Sequence, residues 1–223
     1  MILVDVEQGS ESWMLVRLGL ISASRFKDIM TEPKSKADKE NGVLSATAKS
    51  YMLELIAEIL TGEQKEVSGK ALEWGSNNEK SAQIEYAFEQ GVTVDEVGIC
   101  LTDDKQVGAS PDGLVGDFGG LEIKCPYNSA NHIATVVSGE MPKEHIPQVQ
   151  GNMLVNGRQW WDFVSYDPRI DGKGRIFITR IERDEEYIEK LQIKLTAFLI
   201  EMKRILKESF GIEWNGVTVE EEA

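Results

Sequence analysis

A short apolar strand that carries two charges on one face constrains this chain more than any other feature. In Leu121-Glu122-Ile123-Lys124-Cys125 apolar and charged residues alternate. In extended backbone Glu122 and Lys124 therefore share one side, and Leu121, Ile123 and Cys125 take the other. Burial of Leu121 and Ile123 would leave the two charges facing a cleft. Upstream stands Ser110-Pro111-Asp112-Gly113, and Gly116-Asp117-Phe118-Gly119-Gly120 between them is a natural reversal. A turn centred near Asp117 sets Asp112 opposite Glu122. Cross-strand partners lie about 5 Å apart, near enough for both carboxylates to bind one cation. The alternative is a surface hairpin with an ordinary Glu–Lys face.

Those residue types suit a hard cation such as magnesium, which takes oxygen ligands and keeps several waters. Asp112, Glu122 and the Ile123 carbonyl would leave positions for water and a phosphate oxygen. Lys124 would orient or deprotonate an attacking water, or neutralise charge on phosphorus. Glu79 shares a helical face with Ala82, Gln83 and Tyr86. It should therefore point inward, where a buried carboxylate needs a metal or a lysine; the alternative is a surface glutamate paired with Lys80 or solvent.

The remaining elements place this hairpin in an α/β chain with a central mixed sheet flanked by helices. Strands are expected at Val94–Leu101, Val107–Ala109, Leu121–Cys125, Trp160–Tyr166 and Arg175–Ile181. One helix follows Ser45 and stops before Gly62, and a second runs from about Asn77 to Gln90. A long helix at about 184–209 carries Tyr187, Leu191, Leu195, Phe198, Leu199, Met202 and Leu206 at helical spacing. Residues 32–43 read as an exposed loop and Glu220–Ala223 as a frayed acidic tail. No internal linker is apparent, so residues 1–223 read as one domain.

Charge and cysteine usage bound the function. With 24 Lys and Arg against 38 Asp and Glu, the net charge is −14, which argues against a protein that coats nucleic acid. It leaves open an enzyme with a local positive surface or bound metal. Cys100 and Cys125 form no CxxC pair, and with only 2 histidines a structural zinc site is not expected. Two lone thiols, no apolar run long enough to span a bilayer and no basic leader point to the cytoplasm and away from membranes.

Ser110-Pro111-Asp112-Gly113 followed by Leu121-Glu122-Ile123-Lys124-Cys125-Pro126 resembles the PD-(D/E)xK nuclease motif. More narrowly, it is similar to the phage lambda exonuclease family, the YqaJ-like viral recombinases. Trp13 with Leu15–Ser24, Ala71-Leu72-Glu73-Trp74-Gly75 with Glu79, Gln148-Val149-Gln150, Tyr166-Asp167-Pro168-Arg169 and Ile181–Glu185 match that family in order. The resemblance implies a restriction-endonuclease-like core. It makes Asp112, Glu122 and the Ile123 carbonyl metal ligands, Lys124 the catalytic lysine, and Glu79 the holder of a second metal or its waters. Gln150 would position the attacking water or the phosphate. Gln148 is the lesser candidate, since residues i and i+2 of a helix do not share a face.

Ser24 precedes a short helical segment and reads as its cap. Free N–H groups at a helix start favour an anion, which Arg17 would grip. The family counterpart of this region binds a terminal 5′ phosphate, so Arg17, Ser22 and Ser24 are the expected substrate contacts; Arg25 stands where the family need not have a basic residue and is at most a phosphate contact. The resemblance further implies a magnesium-dependent (manganese as substitute) 5′→3′ exonuclease acting on double-stranded DNA ends. It also implies a homotrimer, a single-strand annealing protein as partner, and a phage or prophage origin in a bacterial host. Residues 33–43 match only weakly. The rival readings are a structure- or sequence-specific endonuclease, a non-catalytic DNA-end-binding scaffold, and an acidic interaction protein whose hairpin is structural.

Overall fold

The alternating strands in the middle of the chain assemble into two sheets. The computed structural model describes residues 1–64 and 68–219. In chain order it contains β1 (Ile2–Val4), α1 (Glu11–Val16), β2 (Ile21–Ser22), α2 (Phe26–Ile29), α3 (Lys36–Glu40), α4 (Ala46–Thr61), α5 (Lys70–Gln90), β3 (Ile99–Leu101), β4 (Val107–Ala109), β5 (Gly113–Val115), β6 (Gly119–Lys124), α6 (Ser129–Ser138), α7 (Ile146–Asn156), β7 (Trp160–Tyr166), β8 (Ile176–Glu182) and α8 (Glu185–Phe210). The first four-stranded sheet has the order β1-β3-β4-β2 and the second β5-β6-β7-β8. Each is mixed: β2 runs parallel to β4 and β6 parallel to β7, while the other pairs are antiparallel. The single central sheet expected from the sequence is thus divided, with Ser110–Asp112 carrying the chain from one sheet to the other.

Helix α7 lies against β3, β4 and β7, and so covers both sheets, while α5 covers the other face of the second sheet at β6, β7 and β8. Leu121, Ile123 and Val164 pack with Ala82 and Tyr86 of α5. Trp161 and Phe163, from the opposite face of β7, pack with Val149 and Met153 of α7. A third and larger cluster joins α4, α8 and the first sheet through Tyr51, Met52, Leu55, Leu191, Phe198 and Met202.

Local chemistry explains most boundaries. Ser45 caps α4 by accepting from the Ala48 N–H at 3.1 Å, and left-handed Gly62 ends the helix. Asp184 caps α8 in the same way through the Tyr187 N–H at 3.0 Å. Helix α5 starts at Lys70, earlier than its apolar pattern suggests, because its buried residues are only Ala82, Gln83 and Tyr86. The turns before them bury no core residue and so carry no periodicity. Residues 32–43 are not all loop: Ser35 accepts from the Asp38 N–H at 3.0 Å and starts the short exposed α3. In the expected strand 94–101 only Ile99–Leu101 pairs as a strand, and Asp95 makes an isolated bridge to Leu114. The expected tail at Glu220–Ala223 lies outside the described residues. Among the described residues no helix is long and apolar enough to cross a membrane.

The glycines of the hairpin do more than turn the chain. Gly119 and Gly120 pair with Trp160 and Trp161 on β7, and a Cβ on Gly120 would lie 2.3 Å from the Trp161 ring. That ring is fully buried and cannot swing away. Gly120→Ala is therefore expected to destabilise the protein by about 1–3 kcal/mol through overpacking. At this chain length that is a fall in Tm of about 2–4 °C per kcal/mol. Thermal melting checks it, and an unchanged Tm would refute the packing argument.

Candidate active site at the open edge of strand β6

Strand β5 pairs with β6 at Gly113↔Leu121, Leu114↔Gly120 and Val115↔Gly119. Extended by one step, that register sets Asp112 opposite Glu122, as the turn geometry requires. Because β5 stops at this point, the edge of β6 beyond Leu121 lacks a strand partner. Asp112 fills part of the gap: its Oδ2 accepts from the Ile123 N–H at 2.5 Å. In a strand the N–H and C=O of one residue point to the same side, so the Ile123 carbonyl emerges at the same open edge as the Asp112 carboxylate.

Glu122 is 1% exposed and bonded at both oxygens. Oε1 receives the Lys124 ammonium, and Oε2 accepts from Asn152 Nδ2 of α7 at 3.0 Å. Withdrawal from water, and then the charge of Glu122, holds the Asp112 carboxyl well above the usual carboxylate range. Glu79 is raised by the same two causes in the same order. Burial works against the charge of Lys124, but Glu122 and Asp112 outweigh it and raise the ammonium above its ordinary value. Three carboxyl groups thus share one lysine, and negative charge is in excess.

This donor set fits a hard divalent cation. Two carboxylates and a carbonyl are all oxygen, they meet at one sheet edge, and the raised Asp112 carboxyl lacks enough positive charge nearby. Among the described residues no three His, Cys, Asp or Glu side chains converge into a ready cage. Glu79 is an electrostatic neighbour of Glu122 and Asp112. It is half-buried and faces the cleft of about 620 Å³ that Asp112 also lines. Lys80 pairs with Gln83 and Glu96 instead of Glu79.

A second cleft, of about 640 Å³, opens beside Lys124 and is lined by Asn131, Thr135, Lys143, His145 and Phe163. His145 stacks on Phe163 at 5.3 Å. Burial, with Lys124 and Lys27, pushes its imidazole down to about 4, so it is neutral near pH 7 and adds no positive charge to the cleft.

On α7 Gln150 is tied to the backbone, and before α2 one expectation needs correction. Gln150 is buried and its amide is spent on the backbone: Nε2 donates to the Glu182 carbonyl at 2.9 Å and Oε1 accepts from the Asp184 N–H at 3.0 Å. It ties α7 to the β8–α8 junction, with one N–H and one lone pair of the amide left over. The α7 residue that touches Glu122 is Asn152, and half-buried Gln148 shares its face at i, i+4. Ser24 caps no helix. A 3-10 turn, Ala23–Arg25, follows Ser22, α2 begins after Arg25, and neither start has a side-chain cap. The exposed Ser24 hydroxyl bonds instead to that of buried Ser22, at 3.0 Å.

The same region nevertheless gathers cationic and hydroxyl groups near Asp112. Arg17 lies 4.2 Å over the Trp13 ring, and both residues donate to Ser110 Oγ at 3.2 Å. Burial lowers the Arg17 guanidinium from its usual value, and neighbouring Glu58 is engaged by the Gly19 N–H at 3.0 Å. Arg25 covers the Tyr51 ring at 4.3 Å and is committed to Asp28 and Glu54. Tyr51, whose phenol burial pushes up to about 12, accepts from the Ser22 N–H at 3.2 Å. Ser110, Asn152 and Tyr51 were not singled out from the sequence. Ser110 was legible as the residue just before Pro111-Asp112; Asn152 and Tyr51 were marked by nothing but helical position.

Known proteins share this arrangement of elements. The YqaJ-like viral recombinase domain matches the chain over residues 12–159. A crystal structure of an alkaline exonuclease from Laribacter hongkongensis superposes with a TM-score of 0.79 at 41% identity, covering 89% of this chain and 95% of that one. The same exonuclease in complex with dAMP gives 0.80 at 41% identity, over 91% and 98% of the two chains. A phage-related exonuclease from Haemophilus somnus 129PT, at 21% identity, shares the fold with a TM-score of 0.71 over 85% of this chain and 96% of its own. No curated protein matches. The fold is of the restriction-endonuclease-like type, and the chain belongs to the YqaJ-like viral recombinase family.

Proposed function

We propose that this protein is a magnesium-dependent exonuclease that digests one strand of linear duplex DNA from its 5′ end. It releases mononucleotides and leaves a 3′ single strand for phage-type recombination. The observation that carries the reading is Asp112 opposite Glu122 at an open sheet edge, with Lys124 on Glu122, in a chain 41% identical to an alkaline exonuclease. That relative's complex with dAMP fits a nucleotide product.

Asp112, Glu122 and the Ile123 carbonyl would hold the metal, magnesium or in its place manganese, which when bound supplies a Lewis acid for the phosphate and an acidified water. Lys124 steadies Glu122 and offers positive charge to the scissile phosphate, Asn152 orients Glu122, and Glu79 adds a carboxylate for water in the adjacent cleft. Arg17 with Ser110, Ser22 and Ser24 forms the seat for a terminal 5′ phosphate. Such a seat needs no helix N-terminus, because a guanidinium and three hydroxyls suffice to bind a phosphate. The net charge of −14 is compatible with DNA if the strand meets only this local surface and the metal. A homotrimer, a single-strand annealing partner and the cytoplasm of a bacterial host carrying a phage or prophage complete the proposal.

The test is a linear duplex labelled on either strand, with 5′-phosphate or 5′-hydroxyl ends, in magnesium or EDTA, beside a covalently closed circle. Mononucleotides released from the 5′-phosphorylated strand only in magnesium, with the circle intact, are the expected result. Internal fragments or a cut circle would replace the reading with an endonuclease. End binding without any cleavage by the folded protein would replace it with a scaffold.

A further inference from the structure

Two sequence motifs have no part in the chemistry above: Ala71-Leu72-Glu73-Trp74-Gly75 on α5 and Tyr166-Asp167-Pro168-Arg169 after β7. They meet in one contact. The Arg169 guanidinium lies 4.2 Å over the Trp74 ring. Its edge is divided among four acceptors. Nε and Nη2 donate to the two Asp167 oxygens at 2.7 and 2.8 Å, Nη2 also donates to the Pro126 carbonyl at 3.1 Å, and Nη1 to the Tyr127 carbonyl at 3.0 Å. Asp167 is fully buried, and Arg169 holds its carboxyl down at about 2. The Tyr127 ring closes on the edge of Trp74, with centroids 6.2 Å apart.

The position of this cluster gives it a task. Pro126 and Tyr127 are the first residues after Lys124-Cys125, where β6 has ended and no strand holds the chain. Trp74 precedes Glu79 on α5, and Asn78 Nδ2 donates to the Trp74 carbonyl at 2.7 Å between them. Arg169 therefore spans from the helix that carries Glu79 to the segment leaving Lys124. We propose that Arg169 is a positioning residue: it clamps Trp74 to the Pro126 and Tyr127 carbonyls and so fixes where Lys124 and Glu122 stand relative to Glu79. This rests on the nuclease reading of those residues. Only arginine suits the place, because it can present a flat face to an aromatic ring and a fork of donors to carboxylate and carbonyls at once. Lysine has neither the face nor the fork.

Cys125 supplies a readout independent of catalysis. It is half-buried beside Lys124, whereas Cys100 is fully buried. Loosening of the 125–127 segment should expose Cys125 to an alkylating reagent. The experiment compares wild type, Arg169→Gln, Arg169→Lys, Trp74→Leu and Trp74→Phe in the full chain, with Arg204→Gln on the outer face of α8 as control. It measures kcat and KM on linear duplex DNA in magnesium, and metal-free melting and Cys125 alkylation without DNA.

For Arg169→Gln, Arg169→Lys and Trp74→Leu the expected result is a fall in kcat of about 10- to 100-fold, the usual effect of removing support behind a metal-site residue. KM should stay within about twofold, and alkylation of Cys125 should quicken several-fold. Trp74→Phe keeps a ring for the guanidinium and is expected to stay near wild type. A raised KM with unchanged kcat would make the cluster a DNA contact and overturn the proposal, as would unchanged kcat and alkylation in Arg169→Gln. An inactive wild type would sink the nuclease reading; an active wild type with unaffected clamp variants sinks the clamp alone.

Discussion

Lys124→Met is expected to lower the rate of duplex DNA digestion by about 10³-fold while leaving the chain folded and able to bind DNA ends. The size follows from the role. A group placed against charge that develops in the transition state is worth about 10²–10³ in kcat, and proton positioning adds a comparable share. In the metal-free protein Lys124 is held as a cation by Glu122 and Asp112, with its ammonium raised above the ordinary value. So held, Lys124 is placed to neutralise charge on phosphorus and to orient the attacking water. Methionine keeps the aliphatic stem, so the comparison isolates the charge. Lys124→Arg keeps the charge but replaces a point donor by a planar fork that Glu122, already bonded to Asn152, is not shaped to receive; it should recover little. Steady-state digestion in magnesium and end binding in calcium, which occupies oxygen sites without supporting the chemistry, measure the two parts separately. A Lys124→Met protein that digests DNA at more than about a tenth of the wild-type rate would remove Lys124 from the chemistry.

The parts of this site that were legible in the sequence are those governed by strict local periods. The strand period of two puts Glu122 with Lys124 and Leu121 with Ile123. The turn centred on Asp117 sets the register that the pairing of Gly113 with Leu121 displays. The caps at Ser45 and Asp184 follow from side chains that reach their own backbone. What was not legible depends on contacts between elements. Nothing local in Gln150 says that both ends of its amide go to Glu182 and Asp184, since those lie 32 and 34 residues away. Asn152 looks like any helix-end polar residue until α7 is laid across β6. Ser24 looked like a cap because a serine before a helical run usually is one, but Ser22 two residues earlier competes for its hydroxyl. The division into two sheets was equally hidden, because strand order is decided by packing of α5 and α7 and not by any strand's own sequence.

Arg180→Ala is expected to cost about 3 kcal/mol, or roughly 6–12 °C in Tm for a chain of this size. Asp162, 1% exposed on β7, accepts from Arg180 Nε and Nη2 at 2.9 Å and from the Tyr86 hydroxyl at 2.7 Å. Removal of the guanidinium, which also covers Trp160 at 3.5 Å, leaves a buried carboxylate with one neutral donor. That is the arrangement in which losing one partner costs more than the pair contributes. Asp162→Ala should cost less, about 2 kcal/mol, because the half-exposed arginine returns to water and only the Tyr86 hydroxyl is stranded. The double variant should therefore be milder than the sum of the two, and a double-mutant cycle in urea reads the difference. Tyr86 stands two turns beyond Glu79 on the same face of α5, so this buried group also anchors the helix that brings Glu79 to the carboxylates. Below its melting temperature Arg180→Ala should lose activity while retaining Lys124 and both proposed metal carboxylates. Tm and activity in Arg180→Ala that both match wild type would show that α5 is held by its apolar contacts alone.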